Sequence, residues 1–132
     1  MAKAKRMGAQ TKIYFDGGCR PNPGAMEIAV VVRGVAHIEH GIGHGTGMDA
    51  EWLALIAALR IGQSLGVVDY VLLGDAAAVI HQATGRAKCQ GAMVRHLEAF
   101  HELAGAGVLP RIRYIKRTQN LAGIALARGH AR

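Results

Sequence analysis

Between Asp49 and Leu65 the chain reads DAEWLALIAALRIGQSL, a stretch of helix length that is apolar nearly all round. A helix on a protein surface keeps a polar face, so one without it has to be buried on most sides. Its ends are marked. Thr46 and Asp49 are spaced as a capping box, in which a hydroxyl and a carboxylate satisfy each other's free backbone N–H groups. Gly66 is a natural stop. With 132 residues the chain is long enough for one core and not for two. The remaining segments must therefore cover this helix.

Those segments alternate between strand and helix signals. Residues 12–18 read as a strand, and CRPNPG as a turn, because Pro21, Pro23 and Gly24 interrupt regular structure. MEIAVVVRG and VAHIEHGIGHG read as two further strands, with Gly34 at the hairpin turn between them. After the buried helix, VVDYVLLG is an apolar run of strand length, suited to the middle of a sheet. DAAAVIHQATG reads as a short helix starting at Asp75. In GAMVRHLEAFHELAGAG, Met93, Leu97, Phe100 and Leu103 recur at spacings of three and four, as in an amphipathic helix. VLPRIRYIK is a last strand and NLAGIALAR a last helix. The order βββαβααβα predicts an α/β fold: a five-stranded mixed sheet flanked by helices. Residues 1–10, MAKAKRMGAQ, read as a disordered basic arm and residues 11–132 as the domain.

Charge narrows the partner. The formal net charge is +7, and no acid follows Glu102, whereas Arg111, Arg113, Lys116, Arg117, Arg128 and Arg132 do. A basic domain of this size suits an anionic partner, nucleic acid above all, with a merely solvated basic face as the alternative. Two cysteines, Cys19 and Cys89, make no disulfide framework, so a reducing, cytoplasmic setting is expected. The basic start has no apolar stretch behind it, unlike a secretory signal. No segment approaches the roughly eighteen apolar residues of a membrane span.

Three carboxylates stand in distinctive settings. Asp16 follows Ile13-Tyr14-Phe15, Glu51 is the acid inside the apolar helix, and Asp75 follows the strand signal Val71-Leu72-Leu73-Gly74. Taken singly, each has an ordinary role: a turn residue, a surface charge, a helix N-cap. Together they match the needs of phosphodiester hydrolysis. That reaction needs a nucleophile made from water at neutral pH and charge stabilisation at the leaving oxygen. Two divalent cations about 4 Å apart supply both. Carboxylates converging from separate elements hold such ions.

Four blocks carry a family resemblance. DGGCRPNPG is similar to the pattern Asp-Gly-x-x-Arg-x-Asn-Pro-Gly of the ribonuclease H family. GTGMDAEWLALIAAL resembles its second block, Thr-Asn-Asn-x-Ala-Glu-aromatic-x-Ala-Leu. LLGDAAAVIHQATGR resembles its third, and RYIKRTQNLAGIALAR its last, in which Asn-x-x-Ala-Asp-x-Leu-Ala is usual. The likeness runs from about Lys12 to Arg128 and is nearest to the small bacterial and archaeal type 1 members without a basic protrusion. It implies a ribonuclease H-like fold with Asp16, Glu51 and Asp75 as catalytic metal ligands for Mg²⁺ or Mn²⁺. Asp16 would bridge both ions. It also implies an RNA–DNA hybrid as substrate, with Arg20 and Asn22 meeting the RNA strand and Lys116 and Arg117 in the substrate-contacting loop.

The chain departs from that pattern in four places. The family's fourth acid falls on Ile124, and no acid follows Glu102 to replace it. The paired asparagines of the second block are Gly47 and Met48, removing two expected minor-groove hydrogen bonds. The serine after the third acid is Ala76, and the loop histidine of some members is replaced by Lys116-Arg117-Thr118-Gln119. Two functions follow: a ribonuclease H of reduced or metal-selective activity, or an inactive module that keeps the fold and binds nucleic acid. A basic protein-binding domain is a third.

Other motifs have plainer expectations. His37, His40 and His44 do not share one face of a strand, so a solvated face outranks a zinc site. His81, His96 and His101 are expected at surface or boundary positions, and His130 at a basic, frayed end. Cys19 lacks a paired histidine in its motif, so it is not expected to be a nucleophile. GIGHGTG lacks the Lys-Ser/Thr of a phosphate-binding loop. Trp52 is expected in the core, and Arg111 and Arg113 on one face of the last strand.

Overall fold

The computed structural model describes residues 10–66, 69–105 and 109–130. Residues 1–9 of the expected basic arm, Val67 and Val68 of one expected strand, and Val108 of another lie outside the described residues. Gln10, the last residue of that arm, donates to Asp69 Oδ1 at 3.0 Å.

The sheet is mixed. β1 (Thr11–Cys19), β2 (Gly24–Val32) and β3 (Val35–Glu39) form an antiparallel meander, while β5 (Tyr70–Gly74) lies parallel to β1 and β6 (Arg111–Tyr114) parallel to β5. The strand order is β3-β2-β1-β5-β6, and a two-residue β4 (His44–Gly45) pairs with the start of β2. The β2–β3 turn is the two-residue loop Arg33-Gly34, both at positive φ. That handedness matches the twist of a tight hairpin, as the glycine there suggested.

β2 is apolar because both its faces are covered. Ile28, Val30 and Val32 join Ile13 and Phe15 of β1 in the main core with α1 (Gly47–Ser64), α2 (Ala77–Ala83) and α3 (Val94–Ala104). Ala29 and Val31 face the other way and pack on Ala122 and Leu126 of α4 (Leu121–Arg128). Helix α1 carries the expected capping box and is buried along most of its length, with Trp52 in the core donating to Gln82 Oε1 at 3.2 Å. Close approach depends on absent side chains: a Cβ at Gly62 would stand 2.6 Å from the Tyr70 ring.

Several expectations are corrected. β1 continues through Cys19, so the turn begins only at Arg20. β3 stops at Glu39 instead of running on to Gly45. The last strand is only Arg111–Tyr114, an exposed edge preceded by Pro110, which cannot donate to a ladder. His96, expected near the surface, is buried: its Nε2 lies 2.7 Å from Asp49 Oδ1 and its ring stacks on Trp52. Burial pushes the Asp49 carboxyl up, but hydrogen bonds from Thr46, His96 and Arg95 outweigh this and hold it well below the usual carboxylate range. The capping acid thus also ties α1 to α3. His96→Ala leaves that buried carboxylate short of a partner and is expected to destabilise the fold by about 2 kcal/mol in urea denaturation. Loss below about 0.5 kcal/mol would show that Thr46 and Arg95 suffice.

Candidate active site

Asp16 sits within β1, opposite Ala29 of β2, so a rigid sheet aims it. Glu51 projects from the second turn of α1, and Asp75 follows the last residue of β5. One carboxylate oxygen from each lies within 4.8 Å of the other two. This is the one group of three or more potential metal ligands among the described residues.

Asp75 is free for this role because it does not cap a helix. α2 begins at Ala77, with Ala76 as an N-cap that makes no side-chain bond, so the expected helix start at Asp75 is two residues early. Asp75 instead lies 3.5 Å from Asn120 Nδ2. Asn120 is fully buried: its Nδ2 donates to Phe15 O at 3.0 Å, and its Oδ1 accepts from Ala122 N–H at 3.1 Å. One side chain therefore caps α4 and fixes the strand that carries Asp16. Glu51 is held by the Gly17 N–H, which donates to its Oε1 at 3.0 Å.

The cluster is electrostatically tense. Burial, then the neighbouring Asp75 charge, pushes the Asp16 carboxyl up to about 7, although Arg117 and the Gly17 N–H act the other way. Burial, then Asp16, pushes Glu51 up to about 8. Hard oxygen donors that repel one another in a half-buried cleft suit a divalent cation such as Mg²⁺ or Mn²⁺, which would relieve that repulsion.

The acids line an open cavity of about 610 Å³. Of the other expected site residues, Arg20 and Arg117 line this cavity, whereas Asn22 and Lys116 do not. Asn22 Oδ1 accepts from the Gly47 N–H at 3.1 Å, tying the turn after β1 to the start of α1. Lys116 precedes the short 3₁₀ turn Arg117–Gln119. Ile124 lines the cavity too, so α4 presents an apolar side chain there and contributes no acid. Gly123 brings the helix close: a Cβ there would lie 3.4 Å from Asp16 Oδ2.

Two features went unnoticed in the sequence. Glu27 of β2 also lines the cavity, and its signal was a lone acid in the apolar run MEIAVVV. The sequence marks Asn120 only as the asparagine of the last block; nothing local announces that it is buried against β1 and Asp75. His37, His40 and His44 form no group of potential metal ligands among the described residues. His40 Nδ1 pairs with Glu27 Oε1 at 2.9 Å. His130 pairs with Glu27 Oε2 and is therefore anchored at the end of α4. Cys19 Sγ lies 3.5 Å from Gly45 O and, like Cys89, is a free thiol.

A β3-β2-β1-β5-β6 mixed sheet between helices, with three acids converging on its central strand, is a ribonuclease H-like architecture. The profile of the family described as "Reverse transcriptase-like" matches residues 14–130, and the chain belongs to that ribonuclease H-like family. It is 41% identical over 83 residues to ribonuclease HI of Halobacterium salinarum, covering 59% of this chain and 42% of the relative. The chain thus spans less than half the length of that relative. The crystal structure of ribonuclease H1 from Halobacterium salinarum superposes with a TM-score of 0.79 at 30% identity, covering 89% of this chain and 94% of the other. LC11 ribonuclease H1 in complex with an RNA/DNA hybrid is similar with a TM-score of 0.76 at 27% identity, covering 89% and 93%. The N-terminal ribonuclease H domain of a Mycobacterium tuberculosis protein gives 0.73 at 26%, covering 94% and 100%. No helix among the described residues is long and apolar enough to cross a membrane.

Proposed function

We propose that this protein is a divalent-metal-dependent endonuclease that hydrolyses the RNA strand of RNA–DNA hybrids in a reducing, cytoplasmic setting. The observation that carries the reading is the convergence of Asp16, Glu51 and Asp75 within 4.8 Å in an open cavity. The likeness to a structure solved with a bound hybrid supports the choice of substrate. Asp16, Glu51 and Asp75 are the metal ligands in this reading. Divalent cations held by these three acids would supply a nucleophile made from water and charge neutralisation at the phosphorus and leaving oxygen.

The chain's own contribution is placement. β1 fixes Asp16, the Gly17 N–H orients Glu51, and Asn120 steadies both β1 and the Asp75 side. Arg20 and Arg117 line the cavity wall, where they would meet the phosphates of an incoming strand. Lys116 and Asn22, which do not line the cavity, act further out. The 2′-hydroxyl is the group that tells RNA from DNA at such a site.

One observation favours a second reading, an inactive hybrid-binding module: the apolar Ile124 on the cavity wall, where the resemblance expects an acid. The deciding experiment is cleavage of a labelled hybrid in Mg²⁺ and in Mn²⁺, with Asp16→Asn as the control. Cleavage that vanishes in the control supports the nuclease; intact hybrid binding without cleavage in either metal supports the module. Arg20→Ala is expected to weaken hybrid binding and to lower the salt slope of log Kd by about one, the signature of one lost phosphate contact. An unchanged slope in fluorescence anisotropy would remove Arg20 from the binding face.

A further inference from the structure

The wall of the acidic cavity carries a fourth carboxylate, and it comes from β2 instead of α4. In the β1–β2 register Asp16 lies opposite Ala29, and Gly18 opposite Glu27. Side chains alternate along a strand, so Asp16, Glu27 and Ala29 project from the same face of the sheet, the one that α4 covers. Glu27 is the diagonal neighbour of Asp16, about 7–8 Å away between backbones and within reach of a long side chain. Its directly opposite residue has no side chain to stand in between: even a Cβ at Gly18 would meet nothing within 4 Å.

Glu27 is also built into place. Oε1 is 2.9 Å from His40 Nδ1, just after β3, and Oε2 pairs with His130, just after α4. Its side chain is only 13% exposed. Burial pushes its carboxyl up, but the two imidazoles outweigh that and hold it below the usual glutamate value. An ionised acid oriented from both sides is an unusual thing to place in an otherwise apolar strand. A salt bridge joining β2 to the end of α4 would need one imidazole, and would not need the acid to line this cavity beside Ile124.

We propose that Glu27 is the fourth acid of this site, replacing from β2 the carboxylate that α4 lacks at Ile124. The assignment rests on the divalent-metal reading of Asp16, Glu51 and Asp75. Glu27 stands outside their compact cluster, so it acts through water, on the hydration of a cation at Asp16 and on the attacking water. His40 and His130 are positioning residues for it.

The test uses the full chain as four proteins: wild type, Glu27→Gln, Ile124→Asp and the double variant. Mn²⁺ binding is followed by calorimetry and by electron paramagnetic resonance, with hybrid cleavage in parallel and thermal unfolding as the fold control. Glu27→Gln is expected to weaken Mn²⁺ binding and to slow cleavage, each by about tenfold or more, the range for partners that act on a metal through its surroundings. Ile124→Asp alone is expected to change cleavage by less than about threefold, and in the double variant to restore most of what Glu27→Gln lost. A merely structural Glu27 would not be rescued from α4. The proposal is overturned if Glu27→Gln binds Mn²⁺ within about twofold of wild type, or if the double variant stays as weak as Glu27→Gln. If wild type cleaves no hybrid while Glu27→Gln still loses Mn²⁺ affinity and Ile124→Asp restores it, the nuclease reading falls and the assignment of Glu27 stands.

Discussion

Asp16→Asn is expected to abolish hybrid cleavage and, in the absence of divalent cations, to make the protein more stable. The loss of activity should exceed about a hundredfold, since a direct ligand matters more than the outer partners whose removal costs 10–100-fold. The gain in stability follows from the tension in the site. Asp16 and Glu51 have carboxyls raised from 3.8 to about 7 and from 4.5 to about 8 on folding, first by burial and then by a neighbouring charge, Asp75 for Asp16 and Asp16 for Glu51. A carboxyl raised on folding contributes stability that is fully present below its unfolded value and is lost as pH rises through the folded value. The metal-free wild type should therefore lose stability between about pH 4 and pH 8. Asp16→Asn removes one repelling charge from the cluster, so its melting temperature should exceed that of wild type at pH 8 and approach it at pH 5. Mg²⁺ binds the deprotonated acids, so it should raise the wild-type melting temperature more at pH 8 than at pH 5, and the variant's hardly at all. Scanning calorimetry with and without Mg²⁺ checks all of this. A variant that melts below wild type at pH 8 without metal would mean that Asp16 is satisfied by its surroundings and that the acids need no ion.

Gly17→Ala should be the most damaging single methyl group near the site. A Cβ at Gly17 would stand 2.2 Å from the Ala50 carbonyl oxygen, 2.5 Å from its carbon and 2.9 Å from the Glu51 nitrogen. All three are backbone atoms of α1, so no side chain can turn away to make room. β1 and α1 would have to separate, stretching the bond from the Gly17 N–H to Glu51 Oε1 and displacing Glu51 from Asp16. The expected cost is about 3 kcal/mol, at the upper end for overpacking. Gly18→Ala is the internal control: the added methyl meets nothing within 4 Å. It should stay within about 0.5 kcal/mol of wild type, as substitutions away from packed features do. Urea denaturation of the two variants makes the comparison. Equal stability would show that α1 does not press on β1 at this point, and would remove the reason for a glycine beside the acid.

Much of the molecule was legible along the chain because local chemistry dictates it. The Thr46–Asp49 box, the all-round apolar stretch behind it and the glycine after it specified α1 before any contact was known. The continuous apolar run of β5 suited the middle of a sheet, and the order of strands and helices implied a mixed sheet covered by helices. The three acids were visible too, since each stands where an apolar element meets a polar break or interrupts one. These signals lie within a few residues of the groups they explain, where backbone geometry and side-chain period act directly.

What joins distant residues was decided by tertiary structure alone. Asp16, Glu51 and Asp75 meet because β5 pairs with β1 in parallel and α1 crosses the sheet closely enough to touch Gly17. His96 lies in a helical stretch that suggests a surface or boundary position, but the docking of α3 on α1 buries it against Asp49. Glu27 is the clearest case. From sequence, the absence of acids after Glu102 left Ile124 without a substitute. The β1–β2 register, reading Asp16 against Ala29, brings an acid from early in the chain to the same wall. A shift of one residue in that register would turn Glu27 to the opposite face of the sheet, because side chains alternate with a period of two. Sequence determined which elements form and which groups carry charge; the pairing of strands and the seating of helices, set by the burial of both sheet faces, decided which of those charges share a cavity.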